Sequence, residues 1–177
     1  IPNAKIILID NSTIPLTSGQ VDKLQESVDH FKQIEHNIFT SFVNRIGSKG
    51  LGETYIMQEA IKIIEDNDLI GKRIFKITGR YQLADSFDIS FYDNPDLVGK
   101  YAHKINLWDI SMDNFVNHRE TVVYFETRLW SFCGSLFDEY KTLLEKIFDL
   151  MVYSLGEPMC NLERCHHQFI PHDKVFE

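Results

Sequence analysis

The chain has 177 residues, 44% of them apolar and 25% charged, and a formal net charge of −8. This suits one domain, or one domain with an appendage, and excludes a chain disordered throughout. Such an acidic balance argues against a general nucleic-acid binder, which needs a basic surface to displace counterions, and no apolar run approaches the roughly 18 residues of a membrane span.

Cys133, Cys160 and Cys165 are an odd count without framework spacing. Reduced thiols and a cytoplasmic location are the simplest expectation. The chain starts at Ile1 and enters a strand almost at once, so sequence is expected to be missing at the front.

Lys5–Asp10 is a short, nearly continuous apolar run closed by Asn11-Ser12, which reads as a strand buried on both faces. Thr17 and Gln20 then have capping-box spacing. Val21, Leu24, Val28, Phe31, Ile34, Ile38 and Phe42 follow at helical steps, predicting one helix of five or six turns. Gly47–Gly52 is expected to break it. A second helix starts near Gly52 or Glu53 and ends at Asp66-Asn67-Asp68. Arg73–Thr78 reads as the next strand, with Gly79-Arg80-Tyr81 at its carboxyl end.

Strand, helix, helix, strand is an α/β rhythm, and ligands in such sheets sit at the carboxyl ends of parallel strands. Asp10 and the Gly79–Tyr81 stretch are therefore expected on one rim. Beyond residue 85, Phe87–Tyr92 alternates like a strand, Asp93–Asp96 is a turn, and Tyr101–Trp108 is a short strand. Thr121–Phe132, rich in β-branched and aromatic residues, reads as one long strand. Ser135 is expected to cap a long helix with Leu136, Tyr140, Leu143, Leu144, Ile147 and Met151 inward. A short helix covers Leu162–Phe169.

The motifs Ile7-Leu8-Ile9-Asp10, Lys49-Gly50-Leu51-Gly52-Glu53 and Phe75-Lys76-Ile77-Thr78-Gly79-Arg80-Tyr81-Gln82-Leu83 resemble, in order and spacing, the donor half of GT-A-type glycosyltransferases. The Lys-Ile-Thr-Gly-Arg-Tyr stretch is also similar to small glycosyltransferase-like proteins of bacteria and large viruses. The resemblance covers residues 5–83. It implies a GT-A-like, Rossmann-type mixed sheet flanked by helices, with its first strand missing from this chain. Residues 1–84 would form the nucleotide-binding half and 85–177 the acceptor half of one domain.

It further implies a nucleotide-sugar donor and a glycan acceptor as partners. Asp10 would meet the base or ribose, and Lys49, Gly52, Glu53, Gly79 and Arg80 would line the ribose–diphosphate site. Where that family has an Asp-x-Asp metal motif, this chain has Thr78-Gly79-Arg80. A guanidinium binds phosphate directly, so neither a divalent metal nor another cofactor is expected. Glu163 or Glu126 would be the base that deprotonates the acceptor.

Each residue also has a plainer reading. Asp10 is a turn residue, Gly50 and Gly52 shape a loop, and Lys49 is solvated. Arg80 pairs with Asp85 or Asp88, Glu163 sits favourably in a helix's first turn, and Glu126 pairs with Arg128. The Cys/His tail (Cys160, Cys165, His166, His167, His172) lacks the paired spacing of a zinc site. Two other functions remain open: a nucleotide-processing transferase or hydrolase, and a non-catalytic binding module.

Overall fold

The computed structural model describes residues 3–79, 83, 87–102, 105–110, 120–125, 127–154 and 162–176, with only the backbone of 105–110 and 120–125. The chain is mixed α/β and divides into two compact units, residues 1–70 and 71–177.

In the first unit, β1 (Ile7–Asp10) and β2 (His30–Gln33) are parallel neighbours joined through α1 (Ser18–Ser27). The N-terminus of α1 forms as its sequence implies: Thr17 N–H donates to the Gln20 side chain at 2.9 Å. The single long helix expected over 17–42 does not form. It is cut into α1, β2 and α2 (Ile38–Ile46). The Ser27 hydroxyl turns back onto the Lys23 carbonyl, and Asp29 takes the Ile6 N–H and the Lys5 ammonium, which docks the segment beside β1. Local hydrogen bonds of this kind compete with helix propagation.

Helix α2 is capped at Asn37 by reciprocal bonds with Thr40. It ends at Gly47, whose φ of +69° is a left-handed cap that glycine adopts without strain. The next helix, α3 (Lys49–Asp66), follows after Ser48 alone. The Lys49–Glu53 segment is therefore the first turn of a helix rather than a glycine loop.

The second unit holds a four-stranded mixed sheet, ordered β3 (Arg73–Ile77), β7 (Leu129–Cys133), β4 (Tyr101–Ala102), β8 (Val175–Phe176). Only the β4–β8 pair is parallel. An antiparallel pair, β5 (Ile105–Ile110) with β6 (Glu120–Phe125), is separate from it among the described residues. The long strand expected over 121–132 is thus two strands in two sheets. The Phe87–Tyr92 strand is replaced by a 3-10 turn at Ile89–Asp93, because Asp88 captures the Ser90 N–H.

Helices α4 (Phe137–Tyr153) and α5 (Leu162–Phe169) complete this unit. All six inward residues expected around α4 are buried. Ser135 does not cap α4. It lies in a 3-10 turn at Gly134–Leu136, and its hydroxyl meets the Cys133 thiol. The core centres on Trp130, with Phe132 stacked on it at 5.6 Å and Tyr140 tilted against it at 4.9 Å between ring centres. Trp130 is 1% exposed. His166 is equally buried, edge-on to Trp130 with its Nε2 3.3 Å from the Tyr140 hydroxyl. No helix among the described residues is long and apolar enough to cross a membrane.

Candidate functional site at the carboxyl end of β3

Strands β3 and β7 run antiparallel, with Lys76 opposite Trp130 and Ile77 opposite Leu129. The carboxyl end of β3 therefore abuts the segment entering β7. The ladder continues one step beyond the strand, where Thr78 N–H donates to the Arg128 carbonyl at 2.9 Å.

Side chains two apart on a strand share a face. Lys76 and Thr78 obey this, and the Lys76 ammonium donates to the Thr78 hydroxyl at 2.9 Å. The same ammonium donates to the carbonyl of Thr127 at 2.5 Å. Thr127 is 2% exposed, and its hydroxyl donates to Glu163 Oε1 at 2.9 Å. Glu163 stands in the first turn of α5, where the helix dipole favours a carboxylate. An ammonium, two hydroxyls and a carboxylate are gathered here by residues 36 and 51 positions apart.

Of the residues expected to act, Glu163 belongs to this cluster and Gly79 follows Thr78 directly in the chain. A Cβ on Gly79 would meet nothing within 4 Å, so the backbone there is open. Arg80 and Glu126 lie outside the described residues, as do Asp85 and Cys160. Lys76 and Thr78 lie in the quoted motif but have no role in the expected site, and Thr127 does not figure in it at all. The signal available was Lys76 itself, a cation set between Phe75 and Ile77 within the strand.

The other expected residues belong to the first unit. Asp10 accepts from Ser12 N at 3.1 Å, Ser12 Oγ at 2.6 Å and Gln33 Nε2 at 3.0 Å, which ties off β1 against β2. Lys49 is exposed at the start of α3 and Glu53 is half-buried one turn on. Gly52 has a packing role: a Cβ there would stand 3.3 Å from Val43 Cγ1 of α2. The expectation that Asp10 and Gly79 share the rim of one parallel sheet is corrected. β1 and β3 belong to different sheets, and β3 is antiparallel to its neighbour β7.

A divalent cation of the kind bound by Asp-x-Asp needs several oxygen donors, carboxylates foremost. Thr78 and Gly79 supply no carboxylate. Among the described residues no group of three or more His, Cys, Asp or Glu converges on a metal position. Glu163 is the one carboxylate among the described residues of this cluster.

Two further environments are chemically distinct. Burial alone would raise the Cys133 thiol, but the Ser135 hydroxyl at 3.2 Å, the Gly99 and Ser135 backbone amides and the nearby Arg73 outweigh it and hold the thiol below its ordinary value. Arg73 is itself fixed by Ser131 Oγ at 2.8 Å and lies over the Tyr92 ring at 5.5 Å. On α5, His167 is edge-on to His172 with ring centres 4.9 Å apart. Burial, His172 and Arg164 together push His167 below its ordinary value.

Compared with known proteins, the chain matches no family model, no curated protein and no solved structure.

Proposed function

We propose that this chain transfers a sugar from a nucleotide-sugar donor to an acceptor hydroxyl, on a GT-A-like arrangement and without a divalent metal. The observation that carries the reading is Glu163, a carboxylate held by Thr127 at the strand end where the motif comparison expects donor chemistry. Glu163 acts as the general base on the acceptor hydroxyl. Lys76 and Arg80 supply the positive charge that stabilises the departing diphosphate, a role that preorganised cations perform well in a water-poor site. The test is nucleoside-diphosphate release that requires an acceptor sugar. Glu163→Gln should then lower turnover by about 10²- to 10⁴-fold, the usual worth of a positioned base. Turnover by Glu163→Gln equal to that of the unaltered protein would remove Glu163 from this role.

A second reading, a non-catalytic module that binds a sugar or nucleotide, is favoured by two facts. β1 and β3 lie in different sheets, and the Asp10 carboxylate is engaged by Ser12 and Gln33. Thermal stabilisation by nucleotide sugars with no release of nucleoside diphosphate would select it.

A further inference from the structure

We propose that Thr127 is a positioning residue of the site, its hydroxyl fixing the Glu163 carboxylate while its carbonyl receives the Lys76 ammonium. The inference rests on the sugar-transfer reading and gives the Thr127 hydroxyl a kinetic role that reading leaves unassigned. Thr127 lies in the short link between β6 and β7, yet it is buried like a core residue. A hydroxyl taken out of water must find a partner or its desolvation goes uncompensated. Here the partner is Glu163 Oε1, 36 residues away.

The two polar ends of Thr127 do different work. Its carbonyl receives Lys76, and any residue at 127 retains that bond. Only its hydroxyl reaches Glu163. A β-branched side chain is stiff about χ1, so the backbone anchored by Lys76 also sets the direction of the hydroxyl. Arg128, the next residue, is pinned in turn by Thr78 N–H. Glu163 has several rotatable bonds and would sample many rotamers by itself. Bonding Oε1 to a fixed donor leaves Oε2 as the oxygen that faces an acceptor hydroxyl. A base held this way is preoriented, and a displacement of about 1 Å can cost up to 10²-fold in rate.

The test is acceptor-dependent nucleoside-diphosphate release from UDP-glucose, UDP-galactose, UDP-N-acetylglucosamine and GDP-mannose, with glucose and N-acetylglucosamine as acceptors. Thr127→Val keeps the shape and removes the hydroxyl. It is expected to lower kcat about tenfold or more while donor KM stays within about twofold, the pattern of an interaction felt in the transition state. Thr127→Ala is the second hydroxyl-free variant, should valine prevent folding. Thr127→Ser restores the donor and is expected to recover kcat to within about threefold. Melting curves accompany each variant. Turnover in Thr127→Val or Thr127→Ala equal to the unaltered protein, or an equal loss in Thr127→Ser, overturns the positioning role and leaves the sugar-transfer reading standing. No turnover by the unaltered protein on any pair overturns that reading and this inference with it.

Discussion

Glu59 offers a measurement that depends only on the first unit. It is 6% exposed on α3 and accepts from Lys32 of β2 at 2.5 Å and from Lys62, one turn along α3, at 2.6 Å. Two unit charges about 4 Å apart attract by about 4 kcal/mol at an effective dielectric of about 20 and by about 1 in water. The lysine side chains are 44% and 62% exposed, so the watery figure governs. Exposed pairs measure about 0.2–1 kcal/mol each. Removing one partner of a fully buried pair costs about 3–5 kcal/mol, because a charge is stranded. Neither lysine is stranded when Glu59 is lost, since both reach solvent. Glu59→Gln should therefore cost about 1–2 kcal/mol at neutral pH, the sum of two weak pairs and a lost charged hydrogen bond.

The pH dependence has a definite sign. Burial would raise the Glu59 carboxyl, but the Lys32 and Lys62 hydrogen bonds outweigh it and hold it below its ordinary 4.5. A depressed carboxylate contributes stability in full above 4.5, and that contribution is lost as pH falls through the folded value. Glu59→Gln lacks this part of the acid loss. Urea titrations from pH 7 to 3, with hydrogen exchange of the α3 amides, measure both effects. A change at pH 7 below about 0.3 kcal/mol would mean the pairs contribute nothing, and a loss above about 3 would mean the lysines are not free to hydrate. Either outcome would refute the reasoning.

Gly52 separates packing from ligand binding. Helix propensity favours Gly52→Ala by about 0.5–1 kcal/mol, but its Cβ would press on the buried, stiff Val43. Net stability should stay within about 0.5 kcal/mol for alanine, while leucine overpacks and costs about 1–3; a neutral Gly52→Leu in chemical denaturation would show that α2 and α3 are not closely packed. His167 gives an acid signature. Its folded value lies below its ordinary 6.5, so the unfolded chain binds the proton more readily. Stability should fall as pH drops through 6.5 and level off below the folded value, and His167→Gln should lack that fall in thermal melts between pH 8 and 5.

The parts legible in the sequence are those where pattern and packing agree. Around α4, residues spaced by three and four are all buried, and α5 and β3 form within a residue of their expected limits. The 28–34 segment departs from the expected helix because Val28, Phe31 and Ile34 keep helical spacing while Phe31 pairs with Leu8 and the Ile34 N–H bonds to the Asp10 carbonyl, a non-local choice that periodicity does not encode. In 121–132 β-branched and aromatic residues predominate on both sides of Thr127, so composition gave no sign that the chain changes sheet there. Glycine misled at α3, where one residue, Gly47, ends α2 and the following glycines are helical. For the site, Glu163 was visible as a first-turn carboxylate. Thr127 was not, because its two bonds reach partners 51 and 36 positions away in the chain.

Those separations also fix when the site can exist during biosynthesis. Contacts between distant residues must first overcome the entropy of closing their loops, which slows their formation. Lys76 leaves the ribosome long before Thr127, and Thr127 long before Glu163. A nascent chain halted anywhere before α5 therefore carries β3 and Thr127 without the carboxylate that Thr127 binds. The Thr127–Glu163 bond therefore forms only once α5 has been made, and a ligand that required it would pass over chains halted before that point.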